Sequence, residues 1–377
     1  MDVSIDRLPG WGAIVVCGMA FGGSPPFADT HLASAIGKRR PVLVVDRPVS
    51  LHKVRRDSRA GLRQVDEGMW VLRPIATPGF DRRWLAPMGD RVIARQIQWA
   101  ADRVLPQRRL LVTFSPVRGL LPAVRRDRTV YWRRDLAAER RYVSSVELVE
   151  NRNHELLVAA DLVTGVSPDL VSQSGVASEA HLVPNGADVE HFARPTDAPP
   201  AELGDGPVIG YIGAVSWRLD LRLISEVAKA HPEWTFVMLG RASVPVPRLP
   251  NLRVLGERPY DELPRWVQRF DVGTVPYLDN PFNRASFPLK VFDYLASGVP
   301  VVSTPLPAID GMEPFVRSGR GPTGFADAIR EVLSSPPPTD ECRAIAEQHS
   351  WAERAARVES LVAESFESGD RPASLTA

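Results

Sequence analysis

Short apolar runs alternate with segments of helical periodicity along the whole chain. The runs at residues 13–17 and 208–212 are apolar throughout instead of alternating, which is typical of strands covered on both faces of a sheet. Helix starts are indicated by Asp29 with Thr30, and by Ser167 before Pro168. The pattern therefore predicts an α/β protein with parallel sheets.

One stretch, residues 194–207, is rich in proline, glycine and acids and has no periodicity, so we interpret it as a linker between domains. The strand–helix alternation restarts after it. We therefore predict two doubly wound, Rossmann-like domains over residues 1–193 and 208–340. Residues 341–377 are predicted to form a C-terminal helix and tail.

Composition narrows the class of protein. The chain has 377 residues, 44% of them hydrophobic, and 46 basic against 45 acidic side chains. Such a chain is not disordered, and its balance of charge argues against a dedicated nucleic-acid binder. No apolar run approaches the ~20 residues that cross a bilayer, and Asp2 and Asp6 stand where a secretory signal would be cationic. We expect a cytoplasmic protein in which Cys17 and Cys342 are reduced, buried thiols.

The strongest local signal is FPLKVFDYLASGVPVV, residues 287–302. Pro288 fits the first position of a helix, whose free amide groups favour phosphate. Lys290 and Asp293 lie three residues apart on a face that differs from the core face. Lys290 would contact a diphosphate, and Asp293 could accept hydrogen bonds from ribose hydroxyls. Alternatively, the two form a surface ion pair, contributing about 0.3–0.5 kcal/mol.

This stretch resembles the nucleotide-binding signature of GT-B glycosyltransferases of the family-4-like kind, in particular those of teichuronic acid and polysaccharide biosynthesis. Residues 166–170, 183–192, 206–224 and 255–277 resemble further motifs of that family, so the likeness covers about the last 220 residues. The first 140 or so match only in pattern. The resemblance implies two Rossmann-like domains facing across a cleft, a C-terminal helix crossing back to the first, and an activated sugar bound by the second.

The family's site residues carry over in part. Asp293 matches the glutamate expected to bind the ribose and is one methylene shorter, whereas the family's other glutamate would fall at Ala285 and is absent. Gly213 matches the glycine that lets backbone approach the diphosphate, or is a plain strand-ending turn. Arg218 is the candidate second phosphate cation. The other carried-over positions flank the lysine or belong to the loop that recognises the base edge: Pro288, Leu289, Arg258 and Pro259. Arg258 could equally be a solvated loop charge.

In the first domain, Gly22 and Gly23 follow the first strand, where a turn would let backbone amides approach the substrate's phosphates or the transferred sugar. A simple connector is the alternative. Asp135 follows a strand at the crevice mouth and is the predicted catalytic carboxylate, touching the acceptor or the transferred sugar. It could also be a helix cap or a partner of Arg133.

Residues 81–142 contain 15 arginines, no lysine and six acids. That excess could attract an anionic membrane surface or a phospholipid-linked acceptor, or reflect only solvated helix faces. No Asp-x-Asp metal motif is present. We therefore expect Lys290, Arg218 and helix dipoles, not an essential metal, to offset the diphosphate charge.

The sequence predicts a hexosyltransferase that moves a sugar from a nucleotide-diphosphate sugar, with UDP as the expected nucleotide and no other cofactor. The acceptor is expected to be a glycan, a lipid-linked molecule or a small molecule, in surface polysaccharide or glycoconjugate biosynthesis. The resemblance implies retention of anomeric configuration. Two alternatives stay open: a nucleotide-sugar epimerase of the same fold, and a catalytically weakened subunit of a polysaccharide assembly complex.

Overall fold

The computed structural model describes residues 8–367 apart from residue 19 and residues 22–25, 57–58, 79–85, 115–122, 137–145, 176–179, 197–202 and 204–205. The chain divides into two compact units. The first consists of Met1–Pro184 together with Arg354–Ala377, and the second of Asn185–Glu353.

This division differs from the predicted domain boundaries. The predicted linker, residues 194–207, lies inside the second unit, and more than half of it falls outside the described residues. Residues 185–193 also group with the second unit. The backbone bonding accounts for this, because Ala187 N–H donates to the carbonyl of His349 at 2.8 Å and the Ala187 carbonyl accepts from Trp351 N–H at 3.3 Å.

The first unit contains a large sheet with helices packed on it. Its strands are β1 (Trp11–Val16), β2 (Val42–Val45), β3 (Val49–Ser50), β4 (Gly61–Asp66), β5 (Met69–Arg73), β6 (Ile75–Ala76), β7 (Arg108–Thr113), β8 (Arg128–Arg133), β9 (Leu162–Gly165) and β10 (Ala180–Leu182). Its helices are α1 (Ala28–Gly37), α2 (Ala86–Val104), α3 (Val146–Ala159) and α4 (Pro168–Ser172).

Eight of these strands form one sheet in the order β10-β9-β8-β7-β1-β2-β5-β4, and β3 pairs with β6. All neighbours in the large sheet are parallel except β4, which runs antiparallel to β5 at the edge. The core lies between the sheet and α2, where Ile93 and Ile97 cluster with Ile14 and Leu43. Because the central strands are covered on both faces, they read as continuous apolar runs.

The second unit contains a six-stranded parallel sheet. Its strands are β11 (Val208–Ile212), β12 (Thr235–Leu239), β13 (Leu252–Gly256), β14 (Val272–Val275), β15 (Val301–Ser303) and β16 (Val316–Ser318). Its helices are α5 (Val189–Phe192), α6 (Leu221–Ala230), α7 (Leu263–Val267), α8 (Pro281–Ala285), α9 (Lys290–Ala296), α10 (Gly321–Ser334) and α11 (Thr339–Gln348). The last helix, α12 (Trp351–Glu367), begins in this unit and continues into the first.

The strand order of this sheet is β13-β12-β11-β14-β15-β16. The chain thus moves outward from β11 in one direction and then resumes at β14 on the other side. In open α/β sheets, ligands bind outside the carboxyl ends of the strands at such a reversal. The loops that follow β11 and β14 therefore frame the expected binding crevice of this unit.

Two local predictions need correction. Asp29 does not cap α1, which begins at Ala28 without a side-chain cap; its carboxylate accepts hydrogen bonds from the backbone N–H groups of Gly18 and Thr30. Pro288 does not open the helix that follows it, because α9 starts at Lys290 and is only seven residues long. The backbone at Pro288 instead forms a tighter turn, in which its carbonyl accepts from Val291 N–H at 3.1 Å.

Candidate functional site

Lys290 lies at the strand-order reversal of the second unit. As the first residue of α9, it extends toward β11 and the loop after β14. Its Nζ donates to the hydroxyl of Tyr277 at 2.8 Å and to that of Tyr211 at 3.4 Å. The same atom lies 4.6 Å and 5.0 Å from the ring centroids of Tyr211 and Tyr277. The structure therefore places the predicted phosphate-binding amine in the expected crevice.

The side chains around Lys290 favour the protonated, positively charged form of its amine. Burial alone would lower the pKa of the amine, but the phenolic oxygens of Tyr211 and Tyr277 outweigh it and raise that pKa. The amine therefore stays protonated at neutral pH and can attract an anion.

Gly213 borders the same amine. Its φ of +113° is one that side-chain-bearing residues rarely adopt. A Cβ at this position would lie 3.4 Å from Lys290 Cε and 3.5 Å from Nζ. The missing side chain thus leaves space open beside the Lys290 amine. The neighbouring Gly240 is under tighter constraint, because a Cβ there would meet the Gly213 carbonyl oxygen at 2.0 Å.

Arg218 approaches the same tyrosine from the loop after β11. Its guanidinium carbon lies 4.4 Å from the ring centroid of Tyr277. Nε donates to Asn283 Oδ1 at 2.8 Å, and one terminal nitrogen donates to Ser286 Oγ at 2.6 Å. Asn283, which is fully buried, also donates to the carbonyls of Arg218 and Leu278. Asn283 and Ser286 therefore hold the Arg218 guanidinium beside Tyr277, the residue that Lys290 also contacts.

Tyr277 joins the two cations and was not predicted. Burial would raise the pKa of its phenol, but the nearby charges of Arg218 and Lys290 outweigh burial and lower that pKa to about 8. The sequence signal that could have found it is its place two residues after the buried strand β14, at the edge where the crevice lies. The charges of both candidate phosphate-binding cations thus act on the phenol of Tyr277.

Asp293 lies one turn along α9 from Lys290. Burial is the main cause of a pKa well above the ordinary value for its carboxyl, and the nearby charge of Asp188 raises that pKa further. The positive charge of Lys290 acts in the opposite direction and lowers the pKa of Asp293. Within the described part of the chain, no side chain or backbone amide donates a hydrogen bond to this carboxyl. Its oxygens can therefore accept hydrogen bonds from hydroxyl groups of a ligand.

Asp188 extends the acidic side of the site and was not predicted to belong to it. Its Oδ2 accepts from the hydroxyl of Tyr260 at 2.8 Å. The ring of Tyr260 stacks on His191, with centroids 4.1 Å apart. Desolvation lowers the pKa of His191, which favours the neutral imidazole. The motif VPNGADVEHF, residues 183–192, thus supplies a carboxylate and an aromatic support close to Asp293.

The remaining predicted positions of this unit lie around the cluster. Arg258 stacks over Trp266, with its guanidinium carbon 5.0 Å from the ring centroid, and Pro259 precedes a 3₁₀ turn after β13. In the described part of the chain, neither residue forms a hydrogen bond or ring contact with Lys290 or Arg218. Leu289 precedes α9 and accepts from Asp293 N–H at 3.5 Å. Ala285 is fully buried at the end of α8.

A cavity of about 350 Å³ opens beside Tyr277 on the carboxyl side of β14 and β15. Its lining includes Asp279, Thr304 and Arg320 at the start of α10.

Of the site residues predicted in the first unit, only Asp135 lies among the described residues. Gly22 and Gly23 lie outside the described residues. Asp135 follows β8 by two residues, and its Oδ2 lies 3.9 Å from Nε of Arg134, whose guanidinium also lies 3.5 Å from buried Asp29. Arg133, the partner considered in the sequence, is instead buried against the Leu170 carbonyl and Ser174. Asp135 is thus half-buried beside an arginine at the carboxyl end of the sheet.

The described residues lack both metal-binding clusters and membrane-spanning helices. They contain no group of three or more histidine, cysteine or acidic side chains arranged to hold a metal ion. None of the described helices combines the length and apolarity needed to cross a membrane.

Comparison with known proteins places this site in a family context. Residues 206–335, which include Lys290, Arg218 and Tyr277, match the family model described as glycosyl transferases group 1. The chain is 36% identical over 169 residues to the teichuronic acid biosynthesis glycosyltransferase TuaH of Bacillus subtilis, covering 41% of this chain and 43% of that protein. It is 31% identical over 120 residues to D-inositol 3-phosphate glycosyltransferase of Corynebacterium diphtheriae, covering 29% of this chain and 27% of that protein. The chain thus matches less than half the length of these curated relatives.

Solved structures show the fold. Sucrose-phosphate synthase of Thermosynechococcus elongatus aligns with a TM-score of 0.71 at 15% identity, over 95% of this chain and 99% of that one. Anabaena HepE, solved with UDP-glucose, aligns with a TM-score of 0.65 at 15% identity, over 94% and 99%. These are GT-B glycosyltransferases, so the predicted GT-B fold is confirmed. The predicted family resemblance is confirmed as well, by the match over residues 206–335 and by the likeness to TuaH.

Proposed function

We propose that this chain is a glycosyltransferase that binds a nucleoside-diphosphate sugar in its second unit and transfers the sugar to an acceptor. The observation that supports this most is the convergence of Lys290 and Arg218 on Tyr277, at the strand-order reversal and inside the region that matches the family model. Two fixed cations at the carboxyl edge of a parallel sheet suit a diphosphate.

In this proposal each side chain has a distinct task. Lys290 and Arg218 bind the diphosphate and stabilise the negative charge that develops on it as it departs. Gly213 leaves room for the phosphate beside the amine. Asp293 accepts hydrogen bonds from the ribose hydroxyls, and the loop with Arg258 and Pro259 reads the edge of the base. Pro288 and Leu289 shape the turn that presents the lysine.

We further propose UDP as the nucleotide, no additional cofactor, and a reaction that retains configuration without an essential metal. Anabaena HepE was solved with UDP-glucose, which supports a uridine donor here. The two fixed cations support metal independence, because they already offer compensating charge to both phosphates.

For the acceptor, we propose a glycan, lipid-linked or small molecule of surface polysaccharide biosynthesis, which the likeness to TuaH supports. Asp135 is the proposed carboxylate that touches the acceptor or the transferred sugar, and Gly22 with Gly23 the proposed turn beside it. We propose that the protein works in the cytoplasm at the inner membrane surface, without nucleic acid as a partner.

The test is calorimetric binding of UDP to purified protein. We expect Lys290→Ala and Asp293→Ala each to weaken binding at least about tenfold, equivalent to roughly 1.4 kcal/mol, because each removes a direct contact to the ligand. The matched controls are Lys229→Ala and Asp340→Ala, which change the same residue types at exposed positions. Unchanged affinity in both site variants would discard the assignment, and a thermal-shift panel of other nucleoside diphosphates would identify a different base.

A second candidate is a binding subunit with weakened catalysis. It is favoured by one observation, that buried Ala285 stands where the family places a glutamate. Sugar transfer by purified protein that disappears in Lys290→Ala would exclude it. Epimerised sugar nucleotide formed without any acceptor would instead support an epimerase of this fold.

A further inference from the structure

The outer face of α2 is unusual for a helix of the first unit. While one side of the helix packs on the sheet, the other presents a line of exposed side chains at helical spacing: Met88, Arg91, Arg95, Trp99 and Arg103. Met88 and Trp99 are 53% and 47% exposed. At 1.5 Å per residue, the outer face of α2 extends over about 22 Å.

This face carries a net positive charge. Arg91 and Arg95 form no ion pair in the part of the chain that the structure describes. The acids of the helix do not compensate them: Asp90 is buried against Arg152 at 2.9 Å, and Asp102 is paired with both Arg109 and Arg125. The guanidinium groups of Arg91 and Arg95 are therefore free to meet an external anion.

Trp99 adds an apolar element between the charges. The guanidinium carbon of Arg103 lies 4.1 Å from its ring centroid, and Arg103 also donates to the Trp99 carbonyl at 3.0 Å. The indole is thus stacked on one side by a cation while about half of it faces solvent. An indole beside arginines suits the headgroup level of a bilayer, where one part of the ring is apolar and another is wet.

We propose that the outer face of α2 binds the surface of a membrane that contains anionic phospholipids. Charge complementarity selects this partner, because a surface of closely spaced phosphates attracts three arginines on one line. A second copy of the same face would be repelled by like charge. Nucleic acid would use the arginines but gives no role to Met88, whose exposed side chain enters the acyl boundary of a bilayer. The proposal rests on the membrane location proposed above and names the surface responsible for it.

The experiment is co-sedimentation of the full chain with vesicles of phosphatidylcholine alone or mixed with a quarter phosphatidylglycerol. We expect binding to the mixed vesicles only, and its loss in high salt. Arg91→Gln combined with Arg95→Gln should weaken it about thirtyfold, from ~1 kcal/mol for each arginine near an anionic surface. Arg265→Gln combined with Arg330→Gln makes the same charge change on exposed positions of the second unit and should leave binding unaltered.

Trp99 provides a second measurement. The difference in tryptophan emission between the protein and Trp99→Phe should shift to shorter wavelength when mixed vesicles are added, because the indole enters a less polar layer. The proposal is overturned if mixed vesicles do not bind, if neutral vesicles bind equally well, or if the arginine variant binds within twofold of the parent. Retention on duplex DNA that depends on Arg91 and Arg95, without vesicle binding, would assign the face to nucleic acid instead. UDP affinity serves as a separate readout of the proposed transferase site, which none of these outcomes affects.

Discussion

Asn283 provides the most informative perturbation of the candidate site. Its buried amide accepts a hydrogen bond from Arg218 Nε at 2.8 Å and donates to the carbonyls of Arg218 and Leu278 at 3.0 and 2.8 Å. The bond to the charged group contributes about 1.5–3 kcal/mol, and the two neutral bonds about 0.5–1.5 kcal/mol each. Asn283→Ala should therefore lower the free energy of unfolding by about 2.5–6 kcal/mol.

The same variant should weaken UDP binding, because Arg218 loses one of the two side chains that fix its guanidinium. Ser286 remains as the other, so we expect a loss of about tenfold, or 1.4 kcal/mol. Asn251 offers a matched control in the same unit. Its amide nitrogen donates to the carbonyls of Ala228, His231 and Trp234, away from the cations. Asn251→Ala should lose about 1.5–3 kcal/mol of stability with UDP affinity unchanged.

Urea unfolding gives the stability of each variant, and calorimetry with UDP gives its affinity. Because Asn283→Ala removes a large share of a typical folding free energy, Ser286→Ala serves as a milder companion that removes one hydrogen bond to Arg218. The reasoning is refuted if Asn283→Ala and Ser286→Ala both fold and bind UDP as tightly as Asn251→Ala does. It is also refuted if Asn283→Ala loses less than about 1 kcal/mol of stability.

The remaining predictions concern titration and the last helix. With a phenol pKa of about 8, Tyr277 becomes negative beside Lys290 above that pH, so UDP affinity should fall between pH 7 and 9 and stay flatter in Tyr277→Phe. The pKa is lowered on folding, so unliganded protein should gain stability relative to Tyr277→Phe as the pH rises from 8 to 10; an identical pair of pH profiles would contradict both. Glu359 is buried with Arg40 at 2.9 Å, and Glu359→Ala should cost about 3–5 kcal/mol because the buried Arg40 guanidinium loses its carboxylate partner. Exposed Glu364→Ala should change thermal unfolding little, and equal shifts in the two variants would count against a buried pair.

Much of the fold could be predicted because its signals are local. The Ser167 hydroxyl accepts from Leu170 N–H at the start of α4, as the Ser–Pro pair indicated. The C-terminal segment that was predicted to be helical contains two helices, α11 and α12. The edge strand β4 was missed because its side chains are largely exposed and it pairs antiparallel with β5, so it lacks the apolar run of a central strand.

Candidate site residues could be predicted from the sequence only where they belong to a recognisable motif. Lys290, Arg218 and Gly213 were predicted from the family's spacing; the structure places Gly213 beside Lys290, and both cations against Tyr277. Their binding roles stay predictions. Tyr277 and Asn283 were missed because their roles arise from contacts with Arg218, about 60 residues away in sequence, which no local pattern reports. Asp188 was missed for the same reason, since its effect on Asp293 acts through space.

The discontinuous make-up of the first unit has a consequence for biosynthesis. Residues 1–184 leave the ribosome early in translation. The ion pair between Arg40 and Glu359 can form only near the end of translation, because Glu359 is synthesised late. The second unit is one continuous stretch of chain. It can therefore finish folding before residues 354–377 of the first unit have been synthesised. Nascent chains stalled before residue 354 should therefore carry an incomplete, chaperone-dependent amino-terminal half.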